Sequence, residues 1–396
     1  MIRFGCVGLL SGVLVLAGCE TQARSAHTAS AVDSAGISIV TSPDRQSPLL
    51  YVDSVPDLSI GGAEAERPAA FGQIENVIVG PDDSIWVSDR QAADVQVFNP
   101  DGSHRATVGG RGSGPGEFRV VRLLGSARDS VAIQDARSRQ INWYALSGAR
   151  LGGVQVALTG GTNPLLYDVT WDGRLVGVES QTLTEADFEA GKTYGGTVPF
   201  SIWVSPQSPP SVFTSEPTAV FIWSELRVTM AMPFTSTAQL DAEKHIDVVA
   251  GPDFEVRRFD SGGALIRIAR VEREPSPVDA SSRGAYRTFV ENAVPPGRRE
   301  AALDALDHPD LPELAPAYRF VVQGRDGSTW AYRFDAGSPG GQPWDVFLAD
   351  GTFVGSVTLP DRFQLTAATE EFVYGYWTDD LGVQHVRRHR VIRSES

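Results

Sequence analysis

Ile85-Trp86-Val87-Ser88-Asp89 and Val131-Ala132-Ile133-Gln134-Asp135 are two versions of one motif, 46 residues apart. The same offset relates the stretches next to them. Val95-Gln96-Val97-Phe98 with a turn at Asp101-Gly102 is answered by Ile141-Asn142-Trp143-Tyr144 with a turn at Ser147-Gly148. Short alternating strands that repeat at this period read as blades of a β-propeller, each blade four antiparallel strands. A propeller is a scaffold for display, so its fold does not by itself define what it does.

Working outward from this pair, the first unit runs from Ile74 to Val108 and the second from Arg119 to Val156. A third begins near Leu166 and ends at Phe213. A fourth covers Leu226 to Met232, Ile246 to Ala250, Val256 to Phe259 and Leu265 to Arg270, and a fifth runs from Tyr318 to Leu359. The last unit has only three strands, Phe363 to Ala367, Phe372 to Trp377 and Val383 to Arg390. The missing one is expected from the other end of the chain. Leu58-Ser59-Ile60-Gly61-Gly62 matches Ala106-Thr107-Val108-Gly109-Gly110, the outer strand of the first unit, and each is followed by a polar loop and a phenylalanine, Phe71 or Phe118. Closure of this kind removes the exposed edges of an open array and joins the termini. The expected fold is therefore all-β: a six-bladed propeller over residues 36–396, closed by an N-terminal strand. A seventh blade would have to lie merged within 159–242. Two insertions interrupt the repeat. One is Leu183 to Gly195, where Thr184 precedes Glu185 and Asp187 as at a helix start. The other, about 281–307, carries Tyr286, Phe289 and Val290 at helical spacing, a break at Pro295-Pro296-Gly297, and a second run from Ala301 to Leu306. It predicts short helices between blades 4 and 5, as a cap, a partner-binding arm or a long connection.

The N-terminus has a different character. Arg3 is followed by an apolar or small run from Phe4 to Leu16, too short to span a bilayer and the right length for a signal-peptide core. It ends in Leu16-Ala17-Gly18-Cys19, which resembles the lipobox of bacterial lipoproteins. The resemblance implies a signal peptide over 1–18, lipid attachment at Cys19 and a membrane partner through that lipid. Glu20 is similar to the residue that follows the lipidated cysteine in outer-membrane-sorted lipoproteins. Residues 19–35, small and polar, read as a flexible tether. The expected location is extracytoplasmic, on a membrane, at the outer membrane or periplasmic face. Cys6 leaves with the signal, so the folded domain contains no thiol, and disulfides, thiol catalysis and Cys-based metal sites are excluded. The net charge of -15 disfavours nucleic acid as a partner.

Gly109-Gly110-Arg111-Gly112-Ser113-Gly114-Pro115-Gly116-Glu117-Phe118 resembles the inter-blade signature of NHL-repeat propellers, in which a Gly-rich loop leads through a GEF-like element into the next strand. The two motifs ending in Asp89 and Asp135 are similar to that family's strand motif. Asp379 through Val391 is similar to the end of lipid-anchored six-bladed propellers of bacteria. The Gly-rich loop is not a phosphate cradle: no Gly-Lys-Ser/Thr follows, and a strand rather than a helix comes next. Asp89 and Asp135, repeated at strand ends, read as acceptors for the backbone N–H groups of adjoining turns.

The chain offers little for chemistry. None of its histidines (His27, His104, His245, His308, His385, His389) has metalloprotease spacing, and no G-x-S-x-G is present. No catalytic residue, metal site or cofactor is assigned. The alternative is a metal-dependent hydrolase of the lactonase-like propeller type, drawing on Glu75, Asn76, Asp168 and Glu370 near the first strands of blades. A structural subunit of an envelope assembly is a third class. The main expectation is a monomeric, non-catalytic binding propeller for an unidentified protein or small ligand. Its candidate face is Arg111, Arg119 and Arg122, clustered about one inter-blade loop of an otherwise acidic chain. Trp171, Trp223 and Trp344 either line that face or pack between blades.

Overall fold

The structure is a computed structural model that describes residues 29–157, 163–169, 173–180, 193–194, 197–217, 220–224, 227–232, 237–240, 245–293, 296, 299, 303, 313–334 and 343–394. It opens with β1 (Ser30–Ser34), β2 (Ile37–Pro43) and β3 (Leu50–Ile60). Blade 1 is then β4 (Ile74–Val79), β5 (Ile85–Asp89), β6 (Asp94–Phe98) and β7 (His104–Gly109). Blade 2 is β8 (Val121–Ala127), β9 (Ser130–Asp135), β10 (Gln140–Ala145) and β11 (Arg150–Gln155). Blade 3 takes β12 (Asn163–Val169), β13 (Leu175–Ser180), β15 (Thr197–Trp203) and β16 (Ser211–Pro217). A separate small sheet holds β14 (Thr193–Tyr194), β17 (Val220–Ser224) and β18 (Arg227–Met232). Blade 4 is β19 (Thr237–Leu240), β20 (Ile246–Val249), β21 (Glu255–Phe259) and β22 (Leu265–Glu272). After α1 (Ala280–Ala293), blade 5 is β23 (Tyr318–Gln323), β24 (Thr329–Arg333), β25 (Pro343–Phe347) and β26 (Phe353–Thr358). Blade 6 is β27 (Phe363–Ala368), β28 (Phe372–Thr378) and β29 (Gln384–Arg393), with β3 as its outermost strand.

The six innermost strands touch in a closed cycle: β4 beside β8, then β12, β19, β23, β27 and back to β4. Apolar residues fill the wedges between neighbouring blades. Trp86, Val95 and Val97 of blade 1 meet Leu123, Val131 and Ile133 of blade 2 around Phe118. Trp330, Trp344 and Val346 of blade 5 meet Phe363, Leu365 and Val373 of blade 6. Each face of a strand is thus buried only because a neighbouring blade covers it.

Ring closure is antiparallel pairing of β3 with β29, from Val386↔Ile60 to Arg393↔Leu50. Before reaching that position the chain crosses the rims of two other blades. β2 lies parallel to β22 on the outer edge of blade 4, and β1 pairs back on β2. The chain then passes blade 5, where Leu49 N–H bonds Val354 O at 2.7 Å and Pro48 packs against Gly355. Gly355 has φ +126°, and a Cβ there would lie 2.4 Å from the Pro48 backbone, so only glycine lets the strap lie flat. The strap is also tied by charge. Arg273 bonds Asp44 of the strap and Asp345 of β25, both at 2.6 Å, and Tyr318 and Ser356 complete the shell of the buried Asp345.

Two expectations need correction. The reading of 19–35 as a tether fails for its last residues: Ser30–Ser34 is a strand, because Ala35 and Gly36 take positive φ (55° and 85°) and turn it onto β2. The stretch Leu226–Met232, expected as the first strand of blade 4, is not in that blade. β18 pairs with its sequence neighbour β17, a hairpin that closes a very short loop, and β19 takes the innermost place of blade 4. The connection after blade 4 holds α1 with Val290 buried, while most of Ala301–Leu306 lies outside the described residues, as does most of Leu183–Gly195. Among the described residues no helix is long and apolar enough to cross a membrane.

Two measurements test this packing. The buried Arg258 is bidentate to Asp247 (2.7 and 2.8 Å) and also donates to Gly327 O, locking blade 4 to blade 5. Arg258→Met leaves Asp247 buried and uncompensated, and is expected to cost about 3–5 kcal/mol in urea unfolding. His389 of β29 donates from Nδ1 to Asp53 O of β3 at 2.8 Å, while its buried Nε2 has no hydrogen-bond partner among the described residues. Burial, chiefly, holds its pKa below the ordinary 6.5. A lowered histidine pKa means that the unfolded chain takes up the proton first, so stability present above about pH 6.5 is lost as the pH falls below it. Unfolding free energies followed from pH 7.5 to 5 are expected to show this loss, and His389→Phe to reduce it.

Candidate functional site

The motif that repeats in blades 1 and 2 ends in an aspartate, and the structure shows what it does. Asp89 is fully buried and accepts N–H bonds from Gly72 (2.9 Å), Gln73 (3.1 Å), Gln91 (2.9 Å) and Ala92 (3.1 Å), with Arg67 Nη1 at 3.1 Å. Asp135 accepts from Val120 and Arg137, both at 3.1 Å, and from the Ser138 hydroxyl at 2.8 Å. Burial would raise the Asp135 pKa, but these donors outweigh it and hold the carboxyl below its usual range. Each aspartate thus clamps two loops that emerge at the same end of the blade: the loop entering the innermost strand and the β5–β6 or β9–β10 turn. The stretches 61–73, 90–93, 110–120 and 136–139 therefore share one face of the disc, called here the upper face.

That face carries Arg111 and Arg119. Arg111 donates to Gln91 O at 2.6 Å, and Arg119 Nε donates to the Ser113 hydroxyl at 2.9 Å. Arg90 and Arg137 stand on the neighbouring turns, exposed, and Arg139 is half-buried beside them. Among the described residues none of these five arginines forms an ion pair. Glu117, on the same loop, is occupied by Gly114 N–H at 2.8 Å. The loop is held in shape by Gly109, whose φ is +84° and whose Cβ would fall 2.3 Å from the Phe118 ring.

Arg122 does not join Arg111 and Arg119 in the loop. It lies on β8, the innermost strand of blade 2, half-buried where blades 1, 2 and 3 converge. Its Nε is 3.9 Å from Glu75 Oε1 of β4, and its Nη1 reaches Leu166 O of β12 at 3.5 Å. Burial pushes the Glu75 carboxyl above its ordinary pKa, and the charges of Arg122 and Arg90 oppose this only in part. Among the described residues Glu75 Oε2 is buried without a hydrogen-bond partner. Glu75 occupies a β-bulge of β4, and Tyr167 the equivalent bulge of β12, where burial raises the phenol pKa. The inner end of the face is therefore polar and incompletely paired.

The other sequence candidates are dispersed. Asn76 donates to Leu123 O at 3.3 Å, a stitch between innermost strands, and Thr366 makes the same kind of stitch to Val77 O at 2.8 Å. Asp168 is on β12, separated from Glu75 by β8, and Glu370 pairs with Arg393 at 3.4 Å on the exposed turn before β28. Glu75, Asp168 and Glu370 are not brought together, and among the described residues no three His, Cys, Asp or Glu side chains converge as metal ligands would. His385 faces Asp379 at 3.5 Å and His389 is buried in the closure, so these two serve different places. Trp344 packs between blades 5 and 6. Trp223 lies in β17 of the small sheet, and Trp171 lies outside the described residues. Arg90, Arg137 and Arg139 were missed by the sequence reading, although Arg90 and Arg137 come after the repeated aspartates Asp89 and Asp135 by one and two positions.

Comparison with known proteins agrees with the fold. A family (DUF5128) described as a 6-bladed beta-propeller matches residues 65–154, the stretch that holds blades 1 and 2. No curated protein matches the sequence. Among solved structures, a protein of Bacteroides fragilis named as a candidate exported protein superposes with a TM-score of 0.50 at 10% identity, over 90% of this chain and 100% of that one. A DUF4221 member from Bacteroides vulgatus gives 0.46 at 8% identity, over 93% and 99%. A gluconolactonase of Xanthomonas campestris gives 0.41 at 12% identity, over 88% and 99%. The chain is an all-β, six-bladed propeller.

The clamp makes a quantitative claim. Asp89→Ala leaves four N–H groups without their acceptor and Arg67 with one carboxylate, Asp94, in place of two, and is expected to destabilise by on the order of 3 kcal/mol in urea. The same variant is expected to open the upper face locally, so that trypsin cuts after Arg90 before the rest of the disc is attacked.

Proposed function

We propose that this protein is a membrane-tethered, non-catalytic propeller that binds a partner on the upper face of blades 1 and 2, with Arg111 and Arg119 at its surface and Arg122 at its inner end. The observation that carries the reading is the state of the arginines. Several exposed or partly exposed arginines of the disc are matched to carboxylates, as Arg105 is to Asp82, Arg270 to Glu255, Arg325 to Asp83, Arg388 to Asp57 and, on this face, Arg67 to Asp89 and Asp94, while Arg128 at the opposite face is matched to none among the described residues. Among the described residues Arg90, Arg111, Arg119, Arg137 and Arg139 of this face are not, although the chain as a whole carries an excess of acidic groups. Arginines kept unpaired on rigid loops suit recognition more than stability, since surface ion pairs contribute little to folding.

The reading places the chain outside the cytoplasm, held to a membrane by lipid on Cys19 after removal of 1–18, and close in type to NHL-like propellers. Its support is the apolar run ending in Leu16-Ala17-Gly18-Cys19 and the Gly-rich loop of 109–118. Ten residues lie between Cys19 and the start of β1 at Ser30, eleven Cα steps with a reach of at most about 40 Å, so the disc would work near the bilayer. Ser30 also sits at the upper-face end of blade 4, because it pairs with Thr41 where β2 runs parallel to β22.

Chemical cross-linking of the native protein in its own cells, followed by mass spectrometry, tests the reading. One dominant protein is expected with the unaltered chain and its loss with Arg111→Glu/Arg119→Glu, while Cys19→Ala is expected to leave the membrane fraction. Retention of every cross-link by the double variant would contradict the choice of face.

A further inference from the structure

We infer that the upper face of blades 1 and 2 is built to bind an acidic segment of a protein partner. This deepens, and rests on, the choice of face made above. Five guanidinium groups, those of Arg90, Arg111, Arg119, Arg137 and Arg139, stand on three neighbouring loops, and among the described residues none of them has a carboxylate partner. Their backbones are fixed: Asp135 holds Arg137 N–H and Val120 N–H, Asp89 holds the turn beside Arg90, and Arg111 reaches across to Gln91 O. The guanidiniums are therefore presented at set spacings by two consecutive blades, which suits a chain bearing several carboxylates more than a single ion. Guanidinium forks pair with carboxylates through two parallel hydrogen bonds.

The acidic groups of the same stretch are Glu64, Glu66 and Glu117 together with the clamping Asp89, Asp94 and Asp135, and Glu75 at the inner end. Asp89 and Asp135 are buried and spent on backbone, Asp94 is taken by Arg67, and Glu117 is engaged within its own loop. Glu64 and Glu66 are the exposed ones left, in the loop before β4. The partner's chemistry is narrowed by what the loops lack. Across 61–73, 90–93, 110–120 and 136–139 the aromatic residues are Phe118, fully buried, and Phe71, half-buried against Phe98. Bases of single-stranded nucleic acid bind by stacking on exposed aromatic rings, and none is offered here. With a net charge of -15 the chain as a whole repels a polyanion, so an acidic partner has to be held by a local patch of unmatched arginines such as this one.

The test uses the full-length chain with Cys19→Ala and a fluorescein-labelled ten-residue glutamate peptide, read by anisotropy at low salt. Arg111→Glu and Arg137→Glu are each expected to weaken binding at least about threefold and together about tenfold, with binding lost at high salt. Arg128→Glu changes the charge of an exposed residue on the β8–β9 turn at the opposite face, and is expected to have a smaller effect than either. An equal loss with Arg128→Glu, tighter binding of polygalacturonate than of the peptide, or no peptide binding at all would each overturn the inference. If the peptide fails while Arg111→Glu/Arg119→Glu still removes the cellular partner, the face stands and its assigned chemistry is wrong.

Discussion

Pairing of β3 with β29 is the contact on which the rest of the structure depends. A blade of this ring has no core of its own. Its inward and outward faces are buried by the blades on either side, so an unclosed ring would leave two apolar faces and a sheet edge in water. The sequence avoids this by drawing the outer strand of blade 6 from the start of the fold. The chain between β2 and β3 then spans the rims of blades 4 and 5, where Arg273 binds Asp44 and Asp345 together and Leu49 bonds Val354. The rim strap and the buried Arg258–Asp247 pair both act at the junction of blades 4 and 5, with blade 5 between them and the closing seam in blade 6.

Closure has a consequence for the upper face. Loops on a rigid ring hold their spacing only if the strands beneath them do not slip, and Asp89 and Asp135 convert that rigidity into fixed loops by capping backbone N–H groups at the ends of β5 and β9. The arginines ride on those capped loops. A side chain on a fixed loop loses less freedom on binding than one on a mobile loop, which is the general benefit of preorganisation. The same geometry separates Arg122 from Arg111 and Arg119: β8 carries it inward, to the poorly paired corner with Glu75, and the face is therefore a rim of exposed charges with a half-buried polar end.

Much of this was legible in the sequence where the physics is local. The 46-residue offset exposed blades 1 and 2 because each repeats strand, aspartate, strand and turn in the same order. The match of Leu58-Ser59-Ile60-Gly61-Gly62 to Ala106-Thr107-Val108-Gly109-Gly110 has a structural cause: both glycine pairs have positive φ, at the end of an outermost strand. The capping role of Asp89 and Asp135 was readable for the same reason. Features that depend on long-range partners were not. Ser30–Ser34 has a small, polar composition, and its strand exists only because β2 is held on the edge of blade 4. β19 is four residues long with no strong pattern, while the neighbouring β18 is richer in apolar residues, so composition favoured the wrong one. The grouping of Arg90, Arg137 and Arg139 with Arg111 and Arg119 needed the loops of two blades to be placed on one face, which no single stretch of sequence states.

Native-state hydrogen exchange is the most direct test of closure as the controlling contact. The amides of β3 and β29 are predicted to exchange in the same opening event as those of the innermost strands β4 and β27, with the free energy of global unfolding. Exchange of β3 and β29 through a separate, lower-energy opening, while β4 and β27 stay protected, would contradict the account and make the ring stable without its seam.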